Sequence, residues 1–135
     1  MDQFNQMLSK YQPVALSLMR FIVGLLLFQF GVAKIFKFPE LPYFANVPPL
    51  IYAAGLIELV LGGLLMIGLL TRPIAFILAG EMAFAYFIGH LGKTGAFLPL
   101  VNGGTLAIAM CFTCLFIATA GGGPISVDAA MGKKS

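Results

Sequence analysis

Four long runs of apolar residues, separated by short polar or glycine- and proline-rich segments, dominate the pattern of this chain. Each run is long enough to cross the hydrocarbon core of a membrane as a helix that rises about 1.5 Å per residue. Thr71 and Arg72 alone separate the second and third runs, so we expect those two helices to form an antiparallel hairpin. The pattern predicts an all-α integral membrane four-helix bundle, built as a single domain over residues 1–135, with spans at about 14–36, 50–70, 73–91 and 101–120.

The first connection and the basic residues predict how the bundle sits in the membrane. Residues 37–49 contain four prolines and several aromatic residues, which predicts a loop lying on the bilayer surface rather than a regular helix. Lysine and arginine accumulate on the cytoplasmic side of membrane proteins. One side of the predicted bundle carries more of them, namely Lys10, Arg20, Arg72, Lys133 and Lys134, against Lys34, Lys37 and Lys93 on the other. We therefore expect both termini to be cytoplasmic, and the first span to be retained rather than cleaved as a signal peptide.

Composition excludes several classes of protein. The 135 residues are 60% hydrophobic and only 10% charged, whereas a soluble domain carries about 25% charged residues. About 55 residues remain outside the predicted spans, which is too few for a separate soluble catalytic domain of ordinary size. The net charge of +3 is scattered along the chain rather than clustered, so no surface for nucleic acid is expected.

Three ionisable residues fall well inside the predicted spans, where charge is costly and therefore marks a functional hypothesis. The helical rise places Arg20, Glu58 and Glu81 within about 9 Å of one another in depth. Arg20 shares one helical face with Gly24 and Gly31, and glycines on that face would let another helix approach closely. We therefore expect a buried polar centre in which Arg20 contacts either Glu58 or Glu81.

Two interpretations of this centre remain open. An Arg20–Glu58 ion pair would simply fix the register of the bundle. The carboxyl left over, Glu81 in that case, would be stripped of water, which favours its neutral, proton-carrying form and a role in proton transfer or in binding a polar ligand.

His90 near the outer end of the third span predicts a second polar region. Together with Lys34 and Asn102 it forms a candidate outer pocket for a quinone-like headgroup, the alternative being a hydrogen-bonded histidine at the interface. A metal site needs three or four convergent ligands, so a single histidine without clustered partners predicts none.

Cys111 and Cys114 form a C-x-x-C motif in the fourth span, which in a redox enzyme could cycle between dithiol and disulfide. Both lie on a stripe of small residues at helical spacing, and a thiolate is disfavoured inside a membrane. We therefore interpret them as packing residues, with redox chemistry as the alternative.

The order of special residues resembles the DoxX family of small four-span bacterial membrane proteins. The matching motifs are Arg20-x3-Gly24-x6-Gly31-x2-Lys34, Gly55-x2-Glu58-x3-Gly62, Gly68-Leu69-x-Thr71-Arg72-Pro73, Asn102-Gly103-Gly104 and the tail Gly121-Gly122-Gly123-Pro124-Ile125-Ser126-Val127-Asp128. The resemblance places Pro124, Ser126 and Asp128 in the family's tail motif. We expect Ser126 and Asp128 to cap and orient a short C-terminal helix that begins near Val127.

The resemblance implies a function linked to quinones, since relatives include subunits of quinol oxidase preparations and of a thiosulfate–quinone oxidoreductase. We expect a multi-pass subunit of a redox complex in the bacterial inner membrane, accessory rather than independently catalytic. Its expected partners are the lipid bilayer and other membrane or redox subunits, with homo-oligomers left open. No haem or flavin is expected on this chain alone, while a quinone is left open as a ligand. The alternatives are a small transporter or proton pathway, and a thiol–quinone oxidoreductase using Cys111 and Cys114.

Overall fold

The expected all-α fold is confirmed by the computed structural model, which describes residues 1–39 and 47–132, apart from the side chain of Lys93. Most of the predicted surface loop, and Lys133 and Lys134, lie outside those ranges. A π-helix covers Ala85–Leu91. The helices are α1 (Asp2–Lys10), α2 (Gln12–Phe36), α3 (Pro49–Ile67), α4 (Thr71–Phe84), α5 (Gly92–Thr94), α6 (Pro99–Asn102), α7 (Thr105–Ala120) and α8 (Val127–Ala130).

Three helical segments of the described chain are long and apolar enough to cross a membrane: Gln12–Phe36, Pro49–Ile67 and Thr71–Leu91. The fourth predicted span is shorter than expected. Its helix, α7, has 16 residues and a length of about 24 Å. The four preceding residues are used by the end of α6 and by a turn at Gly103, whose φ of 76° suits glycine.

The four long helices pack in two pairs, α2 with α3 and α4 with α7. A short turn links the pairs between α3 and α4, and α2 meets α7 in the least extensive of the four interfaces. Their shared core contains fully buried side chains from every pair, including Leu27, Leu65, Leu78, Cys114 and Ile117. The result is a four-helix bundle with its apolar outer surface exposed to the surroundings.

The backbones of α2 and α3 touch at glycines, as the sequence predicted. A side-chain carbon added at Gly24 would lie 2.7 Å from the Cα of Met66, and one added at Gly31 would lie 2.6 Å from the Cα of Leu59. The reverse contact occurs at Gly62, where such a carbon would lie 2.8 Å from the backbone nitrogen of Phe28. Because backbone atoms occupy the space, these positions admit only glycine without separating the two helices.

Gly24→Ala will destabilise the bundle by about 2 kcal/mol, a typical cost of overpacking a close contact. The matched control is Gly80→Ala on α4, where an added carbon meets nothing within 4 Å. That change removes a helix-disfavouring glycine, so stability will stay constant or rise by up to about 1 kcal/mol. Thermal unfolding in detergent, followed by helical circular dichroism, measures both. Equal midpoints for the two variants would contradict the close approach of α2 and α3.

Candidate functional site

Arg20 lies at the end of the bundle that carries the C-terminal tail, which we call the inner end, where it binds backbone carbonyls rather than a carboxylate of another span. Its guanidinium donates hydrogen bonds to the carbonyl oxygens of Gly122 at 2.9 Å, Ile125 at 2.8 Å and Met66 at 3.2 Å. The side chain is only 4% exposed. The expected contact between Arg20 and Glu58 or Glu81 is therefore wrong.

The register of α2 against α3 explains this difference. Gly24 meets Met66, and Gly31 meets Leu59, so residue numbers fall along α3 as they rise along α2. Arg20 consequently lies beside the end of α3 at Gly68, ten residues and about 15 Å of helix away from Glu58. Estimating depth from the start of each apolar run missed that α3 extends beyond α2 at the outer end.

The C-terminal tail completes the inner end of the bundle. The Asp128 carboxylate accepts hydrogen bonds from the backbone N–H groups of Leu70 and Thr71, both at 2.9 Å. It thereby caps α4, which has no capping side chain of its own. The backbone N–H of Asp128 donates a hydrogen bond to the Gly68 carbonyl oxygen at 3.0 Å.

Ser126 caps α8 as predicted, because its hydroxyl accepts a hydrogen bond from the Ala129 N–H at 3.1 Å. Asp128 does not share that task, since it caps α4 instead. Pro124 is exposed. Arg72 joins the same region from α4, donating to the carbonyls of Thr119 and Ala120 at the end of α7. Three polar residues of the inner end therefore bind backbone groups of the tail and of helix termini, namely Arg20, Arg72 and Asp128.

A second polar cluster lies further out and contains ionisable groups facing one another. The Lys34 ammonium donates to both carboxylate oxygens of Glu58, at 2.8 and 3.1 Å. The side chains of Lys34 and Glu58 are 14% and 3% exposed. Lys34 also lies over the ring of Phe30, 5.8 Å from its centroid. This pair, rather than one with Arg20, is the salt bridge that Glu58 forms.

Glu81 from α4 adds a second carboxyl to this cluster. It is close enough to Glu58 and Lys34 to interact electrostatically with both. Both of its carboxyl oxygens are buried, and neither has a hydrogen-bond partner of good geometry among the described residues. A buried carboxyl left in this way retains unused capacity for a proton or a hydrogen bond.

A partly open cavity of about 100 Å³ adjoins the cluster. Lys34 and Glu58 supply its polar wall, and all its other walls are apolar. The complete lining is Leu27, Phe30, Lys34, Glu58, Met82, Ala85, Leu106, Ala107 and Met110. The cavity thus combines an ion pair with adaptable methionine side chains, and the Glu81 carboxyl lies close to that pair.

The outer network of the bundle is built around Asn102. Its amide donates to the Ala96 carbonyl at 2.9 Å and to the Tyr86 hydroxyl at 3.2 Å, and its oxygen accepts from the Gly104 N–H. The Nδ1 atom of His90 lies 3.3 Å from the backbone carbonyl oxygen of Asn102. Of the three residues predicted to form an outer pocket, the structure brings His90 and Asn102 together and pairs Lys34 with Glu58.

Cys111 and Cys114 are free thiols on α7. Cys114 is fully buried in the bundle core, and Cys111 packs against that core. This placement matches the packing interpretation of the motif. Across residues 1–39 and 47–132, no three histidine, cysteine or acidic side chains converge on a point where a metal ion could bind.

Sequence reasoning missed that Lys34 pairs with Glu58, and it missed Tyr86 as a partner of Asn102. For Lys34 a signal was present: the glycines at 24, 31, 55 and 62 define the line along which α2 and α3 touch. In the structure Lys34 lies against Gly55, which is three residues, and so within one helical turn, from Glu58. No comparable signal pointed to Tyr86, because the π-helix that contains it is not encoded by a simple apolar repeat.

Comparisons with known proteins cover most of the chain. The sequence model of the DoxX family matches residues 15–91. A protein of Haemophilus influenzae (strain ATCC 51907 / DSM 11121 / KW20 / Rd), named only "Uncharacterized protein", is 39% identical over 131 residues, which span 94% of this chain and 98% of that relative. No solved structure matches the chain significantly.

Proposed function

This chain belongs to the DoxX family, and on that basis we propose that it is an accessory, membrane-embedded subunit of a quinone-linked redox complex. It is a multi-pass membrane protein of a family often linked to redox or quinone-associated roles. The observation that carries the finer proposal is the cluster of Lys34, Glu58 and Glu81 beside an apolar cavity.

The residues around the cavity fit the polar edge of a quinone. A dry cavity of about 150 Å³ accommodates a benzene ring, so a partly open one of about 100 Å³ accepts the oxygen-bearing edge of such a ring while the remainder stays in the opening. A bound quinone supplies two-electron redox chemistry in which its oxygens also take up protons. Lys34 would donate a hydrogen bond to such an oxygen, and Glu58 and Glu81 would hold a proton close to it.

The residues that the chain offers support an accessory role in this proposal. The sequence contains two cysteines, fewer than the four thiolate ligands of an ordinary iron–sulfur cluster. In this proposal electrons reach the quinone from a partner subunit, and this chain binds and orients the headgroup. The charge asymmetry of its loops further supports both termini in the cytoplasm and a location in the bacterial inner membrane.

Purification from the native host in a mild detergent tests the proposal. We expect the tagged chain to carry a partner with a flavin, haem or iron–sulfur spectrum, and to retain quinone that can be extracted and quantified. Glu81→Leu will reduce the retained quinone at least fivefold. Gln29→Leu is the matched control, because Gln29 is an exposed polar residue within α2, and it will retain quinone as the unaltered protein does. Purification without a redox partner would make us abandon the accessory-subunit role, and purification with neither a redox partner nor quinone would make us abandon the whole proposal.

A further inference from the structure

The polar cavity lies between helices that differ greatly in how closely they pack. Its walls come from α2, α3, α4 with the π-helix that follows, and α7. Three of the four neighbouring helix interfaces around the bundle are extensive or joined by a tight turn, while α2 meets α7 through few residues. The seam between α2 and α7 is therefore the weakest wall of the cavity.

Leu106 marks the place where this seam opens. It lines the cavity, yet its side chain is 48% exposed on the outer surface of the bundle. The next residue, Ala107, also lines the cavity but is only 7% exposed. Phe30 lines the cavity from α2 and is only partly buried. A side chain that borders both the cavity and the apolar outer surface indicates a lateral opening.

The two routes along the bundle axis are blocked. On the outer side, the ring of Tyr86 packs against Gly104 so tightly that a side-chain carbon there would lie 2.6 Å from it. Tyr86 and Asn102 are both buried and hydrogen-bonded to each other. On the inner side, the core contains side chains with no exposure, among them Leu65, Leu78 and Cys114.

From this geometry we infer that a lipid-soluble, uncharged ligand enters the cavity sideways from the bilayer, between α2 and α7, and presents an oxygen-bearing headgroup to Lys34 and Glu58. The inference rests on the proposed function, and it adds the route by which the ligand reaches the cavity. The ligand is uncharged because the ion pair already balances its own charge and an additional charge in hydrocarbon is costly. Its remaining part is apolar because the rest of the lining is apolar.

The chain contains no tryptophan, so one introduced tryptophan becomes a unique fluorescent reporter. Leu106→Trp places it at the opening. Leu115→Trp is the matched control, since Leu115 is also an exposed leucine of α7 but does not line the cavity. Both variants are placed in lipid nanodiscs and titrated with decylubiquinone, whose ring quenches nearby tryptophan. We expect saturable quenching for Leu106→Trp, half complete at a mole fraction at least fivefold below that needed for Leu115→Trp, whose quenching will rise linearly.

Three further measurements make the result decisive. Phe30→Trp places a second reporter on the opposite side of the opening and will reproduce the saturable quenching, which covers the case in which Leu106→Trp fails to fold. Decylbenzene, which has the chain but no oxygens, will not reverse the quenching. Iodide, which quenches from water, will affect the Leu106→Trp reporter no more than the control. Equal linear quenching at both positions, displacement by decylbenzene, or preferential quenching by iodide would each overturn the inference, the last in favour of a solute pathway open to water.

This binding measurement uses purified protein and needs no redox partner. Saturable quenching by a chain that purifies without a redox partner supports the lateral site while removing the accessory-subunit proposal. A redox partner combined with equal linear quenching does the reverse.

Discussion

Asp128→Ala will lower the stability of the folded bundle by about 3 kcal/mol, because it removes two hydrogen bonds to a charged acceptor, one of them buried and the other partly buried. The donors are the N–H groups of Leu70 and Thr71 at the start of α4. The same substitution removes the negative charge that interacts with the buried guanidinium of Arg20. The tail will then hold the inner end less firmly, and the helices will separate at a lower temperature.

A thiol-reactive dye measures this loss during heating in a Cys111→Ala background, which removes the partly exposed thiol. Cys114 has no exposure in the folded bundle and becomes reactive only when the helices separate. Asp128→Asn will show an intermediate cost, because an amide oxygen can accept one of the two hydrogen bonds while its NH₂ group opposes the other N–H. Asp2→Ala at the start of the exposed helix α1 is the matched control, with an expected cost below about 1 kcal/mol. If Asp128→Ala unfolds at the same temperature as Asp2→Ala, the tail is not a cap.

Much of the fold could be predicted from the sequence because apolar length and glycine spacing are local properties. The runs that became α2, α3 and α4 were visible as long hydrophobic segments. Gly24 and Gly31 lie on one helical face, and that face approaches another helix closely as predicted, namely α3. The Ser126 cap of α8 was also visible, since capping depends on residues only three positions apart.

The contacts between distant segments could not be predicted in the same way. Pairing Arg20 with a carboxylate assumed that every span starts at the same depth, whereas α3 extends past the end of α2 at the outer side. A shift of this kind moves a side chain by more than a helical turn and so changes its partner. The Asp128 cap joins residues more than fifty positions apart, and nothing local in the sequence indicates that the tail folds back onto α4.

The polar residues of the chain fall into two groups, according to whether they bind backbone groups or face other side chains. At the inner end Arg20 binds backbone carbonyls and Asp128 binds backbone N–H groups, contacts that hold helix ends and the tail together. In the outer half Lys34, Glu58 and Glu81 face one another beside a cavity. A stability measurement will therefore respond to both groups of residues, while ligand retention will respond specifically to the second.

Lys34→Met and Glu58→Gln will each destabilise the bundle by about 3 kcal/mol, because removing one partner of a buried ion pair leaves the other uncompensated. The double variant will unfold within about 1 kcal/mol of the unaltered protein, since it leaves neither charge of the pair buried without its partner. Lys37→Met, at an exposed lysine just beyond α2, will cost little and controls for the loss of a lysine as such. Thermal unfolding in detergent of the unaltered protein, both single variants and the double variant gives the coupling free energy. Costs that simply add would contradict a direct Lys34–Glu58 interaction.

Quinone retention by the same variants separates a structural ion pair from a binding site. If the pair only fixed the register of α2 and α3, the stable double variant would retain quinone as the unaltered protein does. In the proposed site Lys34 donates to the ligand oxygen and Glu58 lies beside it, so methionine and glutamine remove the donor and the ionised carboxylate together. We therefore expect the double variant to fold normally and to retain less than a tenth of the quinone. Stability regained without ligand retention identifies the pair as kept for binding, because an uncharged replacement would have served the fold equally well.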